Sequence, residues 1–565
     1  MRVHGTALKG GIVRRTVLVW LLAFSVSISA ITPVAFGQKP KKSVSTAVGP
    51  MPHGNVEAVT AAQLKDYLFF VASDEMEGRD TPSRGLNTTA KFIAMELSRA
   101  GLKPAGDDGT FFQRIGLRRF KVDQEKTRAE LNGRSLKFGE DFSLSAAQLG
   151  PGSAEGQLVY VGNGFYYPSK NLNPYQGVQV KDKIAIVAGT AFPRGISRRD
   201  LSEGKEGVDW ESPGSYLRKN GARGIVYLPS ANYLSNWNVS VNALLESGTR
   251  WTVEKFQKQD GQSLPSIIAS EKLATAILEG EKRDAATIIK GEAGEAFELS
   301  PSKQIKFSIN VKSEQTNTQN VVAVLEGSDP KLKNEYVAIG AHYDHVGMGT
   351  PINGDGIWNG ADDDGSGTVS VLSIAEAFAA GPRPKRSLLF VWHCGEEKGL
   401  WGSRYVTDYP LIPLNEIVAQ LNIDMIGRSK HEGDTLPVNK DLTGPHEIYV
   451  IGSKMMSTDL GAVSEQVNNS FLKLTFNYKY DDPKDPQRFF FRSDHYNYAR
   501  KGIPIIFYFD GTHEDYHKPT DHPDKIDYQK MERVARTVLA TAWELANRPE
   551  RPKVDKQLPQ ELMGN

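Results

Sequence analysis

Five short segments in the second half of this 565-residue chain each carry an acid or a histidine of the kind that binds metal ions. Each segment lies just after a predicted buried strand or just before a predicted helix. Open α/β sheets gather ligands at the carboxyl ends of their strands, so residues far apart in sequence converge there. Two histidines with several carboxylates suit a hydrolytic zinc site, most naturally a pair of ions that share a carboxylate. The residues are His342, Asp363, Glu396 with Glu397, Asp424 and His517.

The first segment places His342 and Asp344 two residues apart at a strand end, where alternation directs both side chains to the same side. One of them can bind a metal while the other orients it, because a carboxylate behind a metal-bound imidazole fixes its tautomer. A polar strand end with a solvated histidine is the alternative interpretation of this segment alone. His345 is expected to pack or to hydrogen-bond nearby.

Three successive acids, Asp362, Asp363 and Asp364, stand between glycines directly before an apolar helix. Adjacent carboxylates are costly unless their charge is neutralised, and the helix N-terminus supplies only part of that neutralisation. Ordinary N-capping accounts for one acid but not for three. A calcium loop is disfavoured because the terminal glutamate of that motif is missing. The loop therefore predicts a metal site.

Adjacent glutamates follow the next predicted strand, and Glu396 and Glu397 point in different directions. One can bind metal while the other faces the reacting water, which is what a metal-hydroxide hydrolase needs from its general base. The residues alone do not assign the two roles, and a solvated acidic turn is the alternative.

The remaining candidates are ambiguous when each is taken alone. Asp424 is typical of a strand terminator or a helix cap, and His513, His517 and His522 compete as ligands in the last segment. Residues 493–495 (Ser-Asp-His) also suggest a nucleophilic triad, but the segment lacks the Gly-x-Ser-x-Gly elbow.

The elements that must position these residues form an α/β pattern. Several predicted strands are continuous apolar runs, as in central parallel strands that are covered on both faces. We predict a mostly parallel central sheet flanked by helices. The predicted strands are 321–325, 336–340, 388–392, 418–423, 448–451 and 503–509, and the predicted helices include one from residue 60, 88–100, 367–380 and 528–546.

Composition describes an ordinary globular protein. Lysine and arginine number 68 against 67 acids, so nothing suggests nucleic acid or an anionic membrane as the main partner. Cys394 is the single cysteine, which excludes an intrachain disulfide. We expect Cys394 to be a small buried filler rather than a nucleophile.

The N-terminus predicts export. Arg14 and Arg15 precede an apolar run, 17–30, that is too short to span a bilayer comfortably. Residues 35–37 (Ala-Phe-Gly) have the spacing of a signal-peptidase site before Gln38. A cleaved signal is favoured over a retained anchor, and the two arginines are only weak support for twin-arginine export. We expect a periplasmic or extracellular protein without stable membrane insertion.

Taken together, the segments resemble the secreted binuclear zinc exopeptidases, which include bacterial aminopeptidases and the glutamate-carboxypeptidase group. Order and spacing agree over about 320 to 545. The matched strings are Gly-Ala-His342-Tyr-Asp344, Gly-Ala-Asp-Asp363-Asp-Gly-Ser-Gly, Glu396-Glu397-x-Gly-Leu-x-Gly-Ser403, Asp424-Met-Ile-Gly, Ser-Asp494-His495 and Tyr516-His517-x-Pro-x-Asp521.

The resemblance implies a role for each ligand candidate. Asp363 would bridge two zinc ions, His342 and Asp424 would complete the shell of one ion, and Glu397 and His517 that of the other. No ligand position is substituted, which disfavours a non-catalytic relative.

It also implies three catalytic roles. Glu396 would be the general base, Asp344 would orient His342, and Tyr516 would help to stabilise the oxyanion. The implied function is an exported aminopeptidase that hydrolyses peptides with a free terminus by metal-bound hydroxide. A carboxypeptidase or dipeptidase, a single-zinc glutaminyl-cyclase-like enzyme and a non-catalytic binding protein are the alternatives.

Residues 140–300 are similar to the β-rich protease-associated domain that is inserted in many such enzymes. A helix, Gly-Ala-Arg-Gly and a strand at 215–228 carry that likeness. The predicted division is signal peptide 1–37, flexible leader 38–60, first part of the peptidase domain 61–139, inserted domain 140–300, zinc peptidase domain 301–548 and tail 549–565.

Overall fold

The computed structural model describes residues 52–558, except 190–192, 194, 198–199, 202–203 and 258–262. The predicted signal peptide, most of the predicted leader and the end of the predicted tail lie outside the described residues. In the part of the chain that is described, no helix combines the length and apolar character needed to cross a membrane.

The described residues form strands and helices in the following order. The strands are β1 (Lys103–Pro104), β2 (Phe112–Val122), β3 (Arg128–Leu131), β4 (Arg134–Leu136), β5 (Phe142–Ser143), β6 (Gly152–Tyr160), β7 (Ile184–Ala188), β8 (Gly224–Leu228), β9 (Thr252–Val253), β10 (Ser266–Ala269), β11 (Phe297–Glu298), β12 (Gln304–Ile309), β13 (Val311–Leu325), β14 (Tyr336–His342), β15 (Gly347–Ile352), β16 (Asp355–Trp358), β17 (Ser387–His393), β18 (Ile417–Ile423), β19 (Glu447–Ile451), β20 (Thr475–Asn477) and β21 (Ile505–Phe509). The α-helices are α1 (Ala61–Val71), α2 (Arg84–Arg99), α3 (Pro213–Lys219), α4 (Ala231–Ser235), α5 (Trp237–Ser247), α6 (Glu271–Leu278), α7 (Ala285–Ile289), α8 (Gly367–Ala380), α9 (Trp401–Asp408), α10 (Thr458–Ser470), α11 (His495–Ala499) and α12 (Tyr528–Asn547).

The larger sheet has the order β20-β19-β21-β18-β14-β17-β13-β2-β9, with β1 paired to β13. Its four central strands, β21, β18, β14 and β17, run parallel to one another. The predicted α/β class is confirmed, and the sheet predicted to be mostly parallel is mixed. The parallel strands make up the centre rather than the whole sheet, because β13, β2, β9 and β19 pair antiparallel with their neighbours towards the centre.

Helices cover both faces of the central strands, which explains their continuous apolar sequences. In β14, Val337 and Ile339 belong to the same buried cluster as residues of α8 and α12, whereas Ala338 belongs to a second cluster on the other face. With both faces buried, alternation of apolar and polar residues disappears and nearly every residue of these strands is buried.

A second sheet contains β4-β3-β12-β6-β7-β8-β10-β5, with β11 paired to β6. It has apolar cores of its own. It starts at Arg128 and ends at Ile309, and so extends beyond both ends of the predicted 140–300 range. The long antiparallel pair β2 and β13 leads the chain into and out of this sheet, and β9 returns to pair with β2. Its assignment to the protease-associated type stays a prediction.

The carboxyl ends of the central parallel strands carry the candidate residues. His342 is the last residue of β14, Asp424 directly follows β18, and Glu396 comes three residues after the end of β17. The Asp362–Asp364 loop leads directly into α8, and the segment with His517 follows β21.

Candidate metal centre

Asp363 lies between two histidines and presents one carboxylate oxygen to each. Its Oδ1 is 3.3 Å from Nε2 of His342, and its Oδ2 is 3.0 Å from Nε2 of His517. A carboxylate whose two oxygens face two separate imidazoles has the arrangement of a bridge between two metal ions. Burial raises the pKa of Asp363, but the neighbouring imidazoles of His342, His345 and His517 outweigh this effect and hold the pKa well below its usual value.

Each end of this bridge carries a further carboxylate. Asp424 Oδ1 is 3.6 Å from Nε2 of His342, and Glu397 Oε1 is 3.2 Å from Nε2 of His517. The structure therefore brings the five predicted ligands together as two groups that share Asp363.

Buried atoms without partners support a bound cation. Glu397 Oε1 is buried and has no hydrogen-bond partner, although Nδ1 of His345 lies 2.9 Å away and Nε2 of His517 lies 3.2 Å away. Donor atoms that converge at about 3 Å without hydrogen-bond angles are typical of ligands that point at a common ion. Leaving a buried carboxylate oxygen unsatisfied costs about 1–3 kcal/mol or more, which a metal ion would offset. The donor set of imidazole and carboxylate suits zinc.

The other two acids of the loop have different partners. Asp364 accepts the backbone N–H of His342 at 3.2 Å, of Gly367 at 2.9 Å and of Met425 at 3.2 Å. Asp362 accepts the N–H of Gly427 at 2.6 Å. We therefore assign the bridging position to Asp363, although Asp364 also lies close to His342 and Asp424.

Asp362 has a second partner on the opposite side of the loop. Its Oδ2 lies 3.2 Å from Nε2 of His513, and both residues are fully buried. His513, one of the predicted competitors of His517, therefore faces a different acid. His522 lies near Asp355, so the structure places His517 alone of these three beside Asp363.

Asp521 holds the backbone of the acidic loop. Its Oδ2 accepts the N–H of Asp362 at 2.9 Å and that of Asp363 at 3.3 Å. Arg428 lies 3.7 Å from the other carboxylate oxygen of Asp521. Asp521 thus orients the bridging carboxylate through the main chain.

Arg79 ties three segments together beneath the site. It is fully buried, and its guanidinium donates to the carbonyl oxygens of Val71, Tyr343, Asn359 and Gly360 at 2.7–3.0 Å. These bonds join the end of α1, the segment after β14 and the loop before α8. Burial lowers the pKa of Arg79 to about 10, so the group stays charged at neutral pH.

Glu396 lies beside the predicted ligands without being one of the close contacts of Asp363. It lines the cleft together with His342, Asp363 and Asp424. Burial raises the pKa of Glu396 well above its usual value, and the nearby acids Glu397 and Asp424 raise it further. A carboxyl group with a raised pKa is suited to accept and return a proton.

Asp344 contacts both neighbouring functional segments. Its carbonyl oxygen lies 3.1 Å from Nδ1 of His342, while its carboxylate lies 3.7 Å from the same nitrogen. The carboxylate also accepts the N–H of Glu396 at 3.1 Å. The close contact that orients His342 is therefore the backbone oxygen of Asp344, and its carboxylate positions the glutamate segment.

Tyr516 stands at the mouth of the cleft with its ring stacked on His517 at 4.1 Å. Its hydroxyl accepts a hydrogen bond from Arg492 Nη2 at 3.3 Å. Burial raises the pKa of Tyr516, so it remains a neutral donor at neutral pH.

The residues of the suggested triad do not assemble. Ser493 Oγ accepts from Asn422, Asp494 lies 3.3 Å from His393, and His495 contacts the carbonyl of Phe490. Burial lowers the pKa of His495 to about 3, so it is neutral. Cys394 is fully buried, and burial raises the pKa of its thiol.

Sequence reasoning assigned no role in the site to several residues, although Asp521 belongs to one of the matched strings. Arg79 and Asp521 bond to backbone groups of other segments, and no spacing pattern signals such partners. Arg492 lines the cleft, and its position directly before the Ser-Asp-His string is the sequence feature that could have indicated this. His345, three residues after His342, was expected only to pack or to hydrogen-bond nearby.

Two groups of candidate metal ligands that share a carboxylate at the carboxyl edge of an α/β sheet have the arrangement that metal-dependent hydrolases use. Residues 320–542 match the model of peptidase family M28.

Several characterised or named proteins are similar to parts of the chain. A probable leucine aminopeptidase of Arthroderma benhamiae is 28% identical over 236 residues, which cover 40% of this chain and 57% of the relative. A probable zinc metalloprotease of Pyrenophora teres f. teres is 30% identical over 267 residues, covering 44% and 52%. The chain thus spans little more than half the length of these curated relatives. An aminopeptidase structure from Aneurinibacillus sp. strain AM-1 aligns with a TM-score of 0.48 and 16% identity, covering 90% of this chain and 98% of that one.

Proposed function

We propose that this protein is an exported zinc-dependent exopeptidase, most simply an aminopeptidase that removes N-terminal residues from peptides. The observation that carries the proposal is Asp363, whose two carboxylate oxygens face His342 and His517 separately. The family of residues 320–542 and the names of the similar proteins support the same activity.

Two zinc ions would be held by the groups that share Asp363. His342 and Asp424 would belong to one ion, and Glu397 and His517 to the other. When bound, zinc supplies a Lewis acid that polarises the scissile carbonyl and makes water more acidic.

The protein's own groups supply the proton transfers. Glu396 would take a proton from the attacking water and return it to the leaving amine, a role that its raised pKa supports. The hydroxyl of Tyr516 would donate to the oxygen that becomes negatively charged in the transition state. Asp344 would orient the His342 ring through its carbonyl oxygen and fix the backbone of Glu396 through its carboxylate.

The first test pairs elemental analysis of the purified protein with hydrolysis of peptides. We expect about two zinc ions per chain and cleavage of peptides with a free N-terminus but not of N-blocked peptides. Glu396→Gln should keep its metal and its fold while activity falls by about 10²–10⁴-fold. A protein without zinc, or a fully active Glu396→Gln variant, would contradict the proposal.

A carboxypeptidase or dipeptidase is the second candidate, and Arg492 is the observation that favours it. This exposed guanidinium lines the cleft, and within the described part of the chain no carboxylate lies within ion-pair distance of it. A guanidinium binds a free carboxylate well because it offers paired donors. Cleavage of N-blocked peptides that stops when their C-terminus is amidated would establish this alternative over the aminopeptidase.

A further inference from the structure

His345 is a buried histidine that points into the proposed metal centre. Its side chain is fully buried, and neither of its ring nitrogens has a hydrogen-bond partner. Nδ1 lies 2.9 Å from Glu397 Oε1 and 3.8 Å from Asp363 Oδ2. Burying an imidazole without a hydrogen-bond partner costs free energy. Since neither carboxylate accepts a hydrogen bond from His345 Nδ1, a bound cation would offset that cost.

The backbone around His345 fixes the direction of its ring. Its own N–H donates to the carbonyl of Arg79 at 3.2 Å. The ring lies against Gly360, where an added Cβ would come within 2.4 Å of the His345 ring. Gly360 has a φ of +56° at the start of the acidic loop. The same loop that supplies Asp363 therefore holds the His345 ring in place.

We propose that His345 Nδ1 is a fourth protein ligand of the ion held by Asp363, Glu397 and His517. This inference deepens the proposed function and rests on its zinc site. The four donor atoms all lie within 4.8 Å of one another. Measured separations are 2.9 and 3.8 Å from His345 and 3.0 and 3.2 Å from His517. Ligand atoms of a tetrahedral zinc ion are about 3.3 Å apart, given zinc–ligand bonds of about 2.0–2.1 Å.

A fourth protein ligand makes the two metal positions unequal. The position at Asp363, Glu397, His345 and His517 has the closed donor set of a tetrahedral zinc site. The position at His342, Asp363 and Asp424 has three protein donors and keeps a place for water or substrate. His342, Asp424 and Glu396 line the cleft, and of the donors on the other side of Asp363 only His517 does, since His345 and Glu397 are not among the lining residues. The reacting water is therefore assigned to the His342 side, next to Glu396.

The decisive measurement is the number of imidazole ligands in the zinc-loaded wild-type protein, by X-ray absorption at the zinc edge. The proposal predicts three histidine ligands shared by two ions, from His342, His345 and His517. Two histidine ligands with two ions bound would overturn the inference while leaving the proposed function intact. Absence of zinc would instead overturn both.

A variant separates ligation from hydrogen bonding. His345→Asn keeps a short amide that can still donate to Glu397 but does not bind zinc. Calorimetric zinc titration of the metal-free protein should show one site unchanged and the other weakened by more than about 100-fold, beyond the 10–100-fold typical of residues that only orient a ligand. Two unchanged sites would show that His345 merely packs.

A matched control removes a buried imidazole from outside the centre. His495→Asn replaces a fully buried histidine that contacts the carbonyl of Phe490. This control should keep both zinc affinities. If His345→Asn does not fold, the count of imidazole ligands in the wild-type protein still decides the question.

Discussion

At the scale of single residues, three adjacent aspartates contact three different sets of partners. Asp362 faces His513 and the N–H of Gly427, Asp363 faces His342 and His517, and Asp364 accepts three backbone N–H groups. The sequence predicts that a run of three acids needs neutralisation. The run of acids alone does not show which one faces the cleft, because the direction of each side chain depends on loops that come from other strands; only the resemblance to the zinc exopeptidases singled out Asp363.

Because Asp363 and Asp364 have different partners, the same substitution at each position should affect zinc binding and stability differently. Asp363→Asn should lose zinc, because one bridging oxygen becomes an amide nitrogen that does not bind metal. Asp364→Asn should keep zinc but lower the free energy of unfolding by about 1–3 kcal/mol, since at least one buried N–H loses an acceptor. Elemental analysis and urea unfolding measure the two effects. Equal zinc loss in both variants would argue against Asp363 as the bridge.

Arg79 provides a second test at the residue scale. Lysine cannot reach the four carbonyl oxygens that the guanidinium joins, so Arg79→Lys leaves buried acceptors unpaired. The free energy of unfolding should fall by roughly 2–5 kcal/mol. Arg84→Lys is the control, because its side chain is 79% exposed in a salt bridge with Glu77, and it should change stability by less than about 0.5 kcal/mol. Chemical denaturation of both variants decides whether the burial of Arg79 matters.

At the scale of elements, the carboxyl ends of parallel strands determine where the candidate residues meet. The apolar runs of the sequence predict the central strands to within two residues, and the predicted helix 367–380 has the observed bounds. The apolar runs predict these strands correctly because both faces of each strand are buried. The sequence pattern does not predict the contacts of Arg79, Asp521 and His345, because their partners are groups of distant segments rather than neighbours on the same element.

A buried carboxyl group in the segment after β20 predicts a dependence of stability on pH. Asp481 accepts the N–H of Gly452 at 2.5 Å, and burial raises the pKa of this carboxyl to about 7 despite that bond. The folded protein therefore keeps a proton that the unfolded chain loses above about pH 4. Its contribution to stability is fully present below that pH and is lost as the pH rises to about 7. The loss should reach at most roughly 4 kcal/mol.

Urea unfolding between pH 4 and 8 measures this effect. Asp481→Asn should flatten the profile, because the amide carries no titrating proton. Asp482→Asn, which changes the exposed neighbour, should keep the wild-type profile. Identical profiles for wild type and Asp481→Asn would show that ionisation of the Asp481 carboxyl does not lower the free energy of unfolding.

At the scale of the whole molecule, the proposed ligands gather at one edge of the larger sheet among those that the described residues form. His342, Glu397, Asp424 and His517 lie at or after the ends of β14, β17, β18 and β21 of the larger sheet, and Asp363 lies in the loop before α8. The second sheet has separate apolar cores. Ligand binding stabilises only those states in which the site is formed. Zinc should therefore stabilise the larger sheet more than the second one.

Hydrogen exchange with and without a chelator tests that coupling. Removing zinc removes the ion that would join the segments of Asp363, Glu397 and Asp424, and these segments should therefore open more often. We expect faster exchange over 342–367, 394–403 and 510–521 but unchanged exchange in β6, β7, β8 and β10. The protection should return when zinc is added back at a concentration well above its dissociation constant, since about 2.7 kcal/mol of stabilisation is expected at a hundredfold excess. Equal acceleration in both sheets would mean that they unfold as one cooperative unit, and zinc binding would then stabilise both sheets rather than the larger one alone.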